Sequence, residues 1–166
     1  MVILRVNHKY NGIKGFTLLE ALVVLTIIAV LLMIAKPMFS RIVVNTNLRA
    51  AAGALAEDMK LAKQRAVMEN VKYSITFNIS SNNYTMNNYD PNGNMNALPI
   101  KTVNLSDFGK GISILNQNYS GGNSGTITFY TRGTCSGPAT GMITLQNSLN
   151  STKAITTNLM GRVIIN

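Results

Sequence analysis

The side chains that most often carry enzyme chemistry are scarce in this sequence. Its 166 residues include one histidine, one cysteine and six acidic residues. His8 lies close to the N-terminus, and Cys135 lies in a segment rich in glycine, serine and threonine. A cysteine nucleophile needs a neighbouring base to activate it, and a lone cysteine forms neither an intrachain disulfide nor a metal motif. We therefore predict that the protein is not an enzyme and holds no metal or cofactor.

The acidic residues do not form a site in the sequence either. Glu57 and Asp58 are adjacent on a predicted helix, where neighbours in sequence do not face each other. Residues 90–93, Asp-Pro-Asn-Gly, supply one carboxylate, whereas a calcium loop needs several acidic ligands. Proline and glycine at these positions favour a turn, which is what we predict there.

Glu20 stands in an unusual place for a charged residue. It is the one charge in the run from Phe16 to Ala35, which as a helix would span about 30 Å, the thickness of a bilayer core. A carboxylate in such a segment is costly unless it is paired. Either Glu20 reaches the membrane interface, or it has a cationic partner inside the membrane. Cleavage after Gly15 would create one, the amine of Phe16, one helical turn away in the same or a neighbouring chain.

The residues around the apolar run indicate its orientation. Arg5, Lys9 and Lys14 precede it and no acidic residue does, so the positive-inside rule places residues 1–15 in the cytoplasm and the C-terminal body outside. A secretory signal peptide would have a shorter apolar core followed by a small-residue cleavage site, but Lys-Pro-Met-Phe follows here. A plain signal anchor explains every feature except Glu20.

The junction resembles the type III signal of type IV pilins and type II secretion pseudopilins. Residues 14–20 read Lys-Gly-Phe-Thr-Leu-Leu-Glu, and the apolar run that they open ends at Pro37. The resemblance implies that a membrane prepilin peptidase cleaves between Gly15 and Phe16 and N-methylates Phe16. It also implies that Glu20 pairs with the N-terminal amine of an adjacent subunit during filament assembly. Pro37, which lacks an N–H and clashes with the preceding turn, is the predicted helix kink.

A second helical segment follows Pro37. Apolar residues recur in it at spacings of three and four, which is the period of one helix face. They are Leu48, Ala52, Leu55, Met59, Ala62 and Ala66. We expect this stripe to pack against a sheet, and its alanines to allow a close approach.

Beyond residue 70 the pattern changes to the alternation that is typical of strands. The predicted strands cover residues 71–79, 82–89, 100–105, 111–115, 126–130, 142–145, 154–157 and 162–165. Loops rich in glycine are predicted at 120–125 and 131–140. A long helix followed by short strands predicts an α+β protein with an antiparallel sheet or small sandwich.

With the resemblance, this is a type IV pilin-like fold, in which a long kinked N-terminal helix packs on a β-rich head. The predicted divisions are a leader at 1–15, a transmembrane and filament-core helix at 16–37, its amphipathic continuation at 38–70 and an extracytoplasmic head at 71–166.

The passage from helix to strand at residues 55–79 resembles that of the GspH/FimT subfamily, and segments 127–133, 142–145 and 161–163 fit the same domain. Its members are minor subunits of type II secretion pseudopili or type IV pili. The resemblance implies a single-pass bacterial inner-membrane protein with a periplasmic head. Its implied partners are the prepilin peptidase and other pilin or pseudopilin subunits, with a place near the filament tip.

The net charge of +9 raises DNA binding as the alternative function. Three of the 15 basic residues lie in the leader, so a chain that begins at Phe16 carries +6. Some subfamily members bind DNA during natural transformation, and their C-terminal motif resembles Gly-Arg-x-Arg. Gly161 and Arg162 match that motif, but Ile164 stands where it has its second arginine.

A DNA surface would use the basic residues near the end of the helix and in the sheet region. They are Arg65, Lys72, Arg132, Lys153 and Arg162. The alternatives left open are thus a subunit of a secretion pseudopilus, a subunit of a pilus, and a DNA-binding minor pilin for DNA uptake in natural transformation.

Overall fold

The computed structural model of the protein describes residues 15–90, 92–119 and 124–166. The predicted leader up to residue 14, Pro91 of the predicted turn and residues 120–123 of the predicted glycine-rich loop lie outside the described residues. The chain divides into two compact units, a first unit that ends at Phe39 and a second unit that covers Ser40–Asn166. The helix α1, Leu18–Met68, contributes to both.

The N-terminus of α1 is capped by Thr17. The backbone N–H of Glu20 donates to Thr17 Oγ1 at 3.2 Å, which is the hydrogen bond that an N-cap threonine makes to the third residue of a helix. Threonine followed three residues later by glutamate is also the sequence of a capping box. The helical backbone continues through Pro37, so the predicted boundary between segments 16–37 and 38–70 lies inside one helix. The kink at Pro37 stays a prediction.

Eight strands of the second unit form two sheets in the part of the chain that the structure describes. They are β1 Tyr73–Asn78, β2 Asn83–Asn88, β3 Lys101–Asn104, β4 Ser113–Gln117, β5 Ser124–Phe129, β6 Thr140–Gln146, β7 Thr152–Asn158 and β8 Val163–Ile165. The first sheet has the order β3-β2-β1-β5 and the second β4-β6-β7-β8, and every pairing is antiparallel. The strands overlap all eight predicted segments, which confirms the α+β prediction.

The prediction was wrong at Leu105, which we expected to end a strand. It begins a short 3-10 helix, Leu105–Phe108, instead. Its backbone N–H donates to the carbonyl of Asn82 at 3.0 Å and its side chain is fully buried. An apolar side chain that must turn into the core ends the extended strand at this point.

The predicted apolar stripe of α1 is the helix's contribution to the core of the second unit. All six of its residues are buried, from Leu48 to Ala66, and Ala51 and Ala56 are buried beside them. They belong to one hydrophobic cluster with the inward-facing residues of β1, among them Ile75 and Phe77. Three of the six stripe residues are alanines, and their small side chains leave room for the strands to pack close to the helix.

Asp58 lies among these residues although it carries a charge. Its carboxylate is buried and accepts a hydrogen bond from the Tyr84 hydroxyl of β2 at 2.7 Å. Burial and, after it, the hydrogen bond from Asp58 raise the pKa of the Tyr84 hydroxyl far above its usual range. The hydroxyl therefore stays protonated and remains a donor to Asp58, which ties α1 to the first sheet.

Candidate functional site

The first part of the candidate site is the segment around the predicted cleavage point. Gly15, Phe16 and Thr17 precede the first helical residue and are exposed. Phe16 is 70% exposed, and the side chain of Glu20 is exposed in the first turn of α1. The Gly15–Phe16 bond therefore lies outside the helix. Cleavage there, methylation of Phe16 and docking through Glu20 stay predictions.

The apolar surface of α1 in the first unit is the second part. One 18-residue window of this helix has a mean hydropathy of 2.9, and none of it is buried. By length and composition, α1 is the one helix among the described residues that could cross a membrane. An apolar surface of this extent is unfavourable in water and marks contact with lipid or with other apolar helices. The length and composition of α1 are those of the predicted membrane anchor, and its role as a filament core stays a prediction.

The third part lies at one end of the first sheet, where Lys72 stands between two tyrosines. Tyr73 of β1 pairs with Asn88 of β2 and with Phe129 of β5. The next position along each strand brings Lys72, Tyr89 and Tyr130 side by side, and the N–H of Tyr89 donates to the carbonyl of Lys72 at 2.9 Å. The Lys72 ammonium lies 5.9 Å from the centroids of both rings, a cation–π distance. We call these three residues the tyrosine row.

A cavity of about 340 Å³ adjoins the tyrosine row. Lys72, Tyr89, Asp90 and Thr131 are among its lining residues. The Asp90 carboxylate accepts hydrogen bonds from the backbone N–H of Asn94 at 2.7 Å and from its side-chain amide at 3.3 Å. The backbone bond is the main cause that holds the pKa of Asp90 below its usual range. The cavity therefore has one cation and one carboxylate on its wall.

Two turns beside this cavity carry two further predicted residues, Arg132 and Arg162. A Cβ added to Gly161, whose φ is +65°, would lie 2.7 Å from the carbonyl oxygen of Gly133, so the two turns touch. Lys63 of α1 packs against both glycines and donates to the carbonyl of Met160 at 2.9 Å. Arg132 and Arg162 are exposed, each one residue from these glycines. We call Lys63, Arg132 and Arg162 the basic strip.

The other two predicted DNA-binding residues, Arg65 and Lys153, do not belong to the basic strip. The Tyr73 hydroxyl donates to the Glu69 carboxylate and interacts with Arg65. Burial is the main cause that raises the pKa of Tyr73, and Glu69 adds to it. Lys153 borders a different cavity together with Leu48, 15 residues before Lys63 on α1, which is about 22 Å along a helix.

Of the five predicted DNA-binding residues, Lys72, Arg132 and Arg162 are thus close to the two touching turns and the sheet end. Lys63 belongs to the basic cluster that the sequence predicts near the end of the helix. Sequence reasoning missed Tyr89 and Tyr130. Their signal is positional, since each tyrosine directly follows a strand that flanks β1, but it can be used only when the strand order is known.

Cys135 lies near the basic strip but does not face solvent. It is 7% exposed, and its thiol donates to the carbonyl of Asn158 at 3.1 Å. Burial raises the pKa of the Cys135 thiol, which keeps it protonated.

Comparison with known proteins places these features in a family. Residues 10–35 match the family model described as "Prokaryotic N-terminal methylation motif", and residues 51–161 match the one described as "Type II transport protein GspH". Over 71 residues the chain is 38% identical to competence protein ComGD of Bacillus subtilis (strain 168). These 71 residues cover 43% of this chain and 50% of that protein. The chain thus spans about half the length of this curated relative.

Solved structures of low sequence identity share the fold. The minor pseudopilin EpsH from the type 2 secretion system of Vibrio cholerae has a TM-score of 0.58 at 8% identity, over 72% of this chain and 96% of that one. The type IV minor pilin FimU of Pseudomonas aeruginosa has a TM-score of 0.58 at 15% identity, over 74% of this chain and 90% of that one. The predicted pilin-type fold is confirmed.

Proposed function

The chain belongs to the family of type II transport protein GspH and carries a prokaryotic N-terminal methylation motif, and from this premise we propose that it is a minor subunit of a type II secretion pseudopilus or type IV pilus. It acts by assembly and not by catalysis. The observation that carries the proposal is the exposed apolar length of α1, which begins three residues after Gly15 and bears Glu20 in its first turn.

The proposed sequence of events follows from this segment. Prepilin peptidase cleaves the exposed Gly15–Phe16 bond, and α1 then holds the subunit in the membrane with its head on the non-cytoplasmic side. On assembly, neighbouring helices replace lipid around α1. Glu20, costly in an apolar environment when unpaired, pairs with the N-terminal amine of a neighbouring subunit. We also place the subunit near the filament tip, as its subfamily resemblance implies.

Replacement of Glu20 tests the assembly role. Glu20→Gln keeps the size of the side chain and removes its charge. We expect the variant to be cleaved and to carry a methylated Phe16 by mass spectrometry, but to be missing from sheared filaments. Glu57→Gln is the matched control, because Glu57 is exposed on α1 in the second unit. Normal incorporation of Glu20→Gln into filaments would refute the docking role.

Labelling tests the position in the filament. An antibody against the head, visualised by electron microscopy, should mark filament ends. Marking along the whole length would overturn the tip position and leave the role as a subunit intact.

DNA uptake in natural transformation is the second candidate function. Two observations favour it: the similarity to a protein named for competence, and the proximity of Lys63, Arg132 and Arg162 at two touching turns. The full chain in detergent micelles should bind a short DNA at low salt and lose it as salt rises, because phosphate contacts release counterions. The absence of binding at low salt would exclude this candidate. Deletion should then reduce transformation without reducing protein export.

A further inference from the structure

We propose that the tyrosine row and the basic strip together form a binding site for single-stranded DNA, in which a base stacks on Tyr130 or Tyr89 and the phosphates contact Arg132 and Arg162. This inference rests on the proposed DNA-binding function and names the form of DNA that the site accepts. It is carried by the placement of two aromatic rings around one ammonium, next to two exposed arginines.

The pairing of three strands builds the tyrosine row. β1 lies between β2 and β5, and Lys72, Tyr89 and Tyr130 occupy the first position beyond the paired ends of these strands. Neighbouring strands are about 4.8 Å apart, so the two tyrosines stand about 10 Å apart across β1. Both rings border the space that the Lys72 ammonium occupies, and Tyr130 is 37% exposed. Tyr130 is therefore accessible from solvent.

The charges separate the place for a base from the place for phosphates. Asp90 stays ionised beside Lys72, so the cavity wall offers no excess of positive charge to a phosphate. The basic strip differs, because neither Arg132 nor Arg162 has an ion-pair partner within the described part of the chain. Each arginine is one residue from a glycine of the two touching turns, and Lys63 packs against both glycines. A nucleic acid would thus put its backbone on the strip and a base against the tyrosines.

This division of roles requires an unpaired base. In a duplex the bases are stacked on each other and turned inward, so a protein ring reaches a base face only where pairing is broken. Aromatic side chains bordered by cations are the usual means of holding single strands, with little preference for sequence, because every base has a stacking face. The site should therefore prefer a single strand to a duplex of the same length.

Fluorescence anisotropy with an oligothymidylate of about 15 nucleotides and a duplex of the same length tests the proposal on the full chain in detergent micelles. We expect tighter binding of the single strand. Tyr130→Ala should weaken single-strand binding about 5- to 100-fold and leave duplex binding within about twofold, whereas Tyr130→Phe keeps the ring and should restore the affinity. Unchanged duplex binding by Tyr130→Ala also shows that the variant is folded.

Charge variants provide the second measurement. Arg132→Gln should weaken binding of both DNA forms and reduce the slope of log affinity against log salt by about 0.7 for the single strand. Lys153→Gln is the matched control, because Lys153 borders another cavity, and it should leave single-strand binding unchanged. Equal affinity for the two DNA forms would overturn the single-strand site, and so would a Tyr130→Ala variant that binds the single strand like the parent chain. In either case, duplex binding at low salt would still support the proposed DNA function. If neither form bound at low salt, both proposals would fall.

Discussion

Lys101 and Asp58 form the one ion pair found among the described residues, with their nitrogen and oxygen 2.7 Å apart. Lys101 Nζ also lies 2.8 Å from the second carboxylate oxygen. The two residues are unequally placed, because the side chain of Lys101 is 48% exposed and that of Asp58 is 7% exposed. The pair joins α1 to β3, an edge strand of the first sheet, and neutralises a charge that the core would otherwise hold alone.

Removal of the lysine should therefore destabilise the head. Lys101→Met leaves the buried Asp58 carboxylate with the Tyr84 hydroxyl as its remaining partner. We expect a loss of about 1–3 kcal/mol in the free energy of unfolding, below the value for fully buried pairs because half of Lys101 is solvated. Urea unfolding of the full chain in detergent micelles measures it.

Lys110→Met is the control for this measurement. Lys110 is exposed and has no ion-pair partner within the described residues. It should change the free energy of unfolding by less than about 0.5 kcal/mol. Equal effects of the two substitutions would show that the ion pair with Asp58 does not contribute to the free energy of unfolding.

Tyr119 should make the head less stable as the pH rises into the alkaline range. Burial raises the pKa of Tyr119 to about 12 from an ordinary 10.0, although its hydroxyl lies in a hydrogen bond with Thr157. Below pH 10 the hydroxyl is protonated in both states, and its contribution is fully present. Between pH 10 and 12 the unfolded chain loses this proton first, so the free energy of unfolding falls as pH rises, by up to about 1.4 kcal/mol per pH unit from this group.

Urea midpoints measured between about pH 8 and 12 should show this fall. Tyr119→Phe removes the hydroxyl and should make the curve less steep, whereas Tyr130→Phe, at an exposed ring, should not. A curve of the same steepness in Tyr119→Phe and the parent chain would contradict the assignment to Tyr119.

The elements of the fold could be predicted because their signals are local. The stripe from Leu48 to Ala66 has the helix period, and residues 71–79 alternate as a strand does, so burial followed from spacing. The pairing of β1 with β5 has no such signal. Its partners lie some 50 residues apart, as in the hydrogen bond between Thr76 and Thr126, and Tyr130 joins the tyrosine row only through this pairing.

Asp58 shows the same limit in the core. Beside Glu57 in the sequence it has the pattern of a solvated helix face, and its burial depends on Lys101, 43 residues away. Lys153 borders a different cavity from the one beside the tyrosine row for a related reason. Charge can be read from one residue, but burial and proximity depend on how β7 and α1 are placed in the fold.

The thiol of Cys135 should react slowly in the folded protein. It is buried, bonded to the Asn158 carbonyl and held protonated, and the thiolate is the reactive form. We expect alkylation to be at least about tenfold slower in the native chain than in urea. A chain with Cys135→Ser and Ala139→Cys, the latter at an exposed position, is the control and should be alkylated rapidly in both states. Fast native alkylation of Cys135 would show that this region opens readily.

Two glycines give opposite predictions for the same substitution. A Cβ added to Gly141 of β6 would overlap the Tyr119 ring and lie 2.7 Å from Thr157 Oγ1, whereas one added to Gly53 of α1 would meet no atom within 4 Å. Gly141→Ala should therefore destabilise the head by about 1–3 kcal/mol through overpacking. Gly53→Ala should stabilise it by about 0.5–1 kcal/mol, because glycine loses more conformational freedom in a helix. Urea unfolding compares the two with the parent chain, and a Gly141→Ala variant as stable as that chain would show that Tyr119 can move aside without cost.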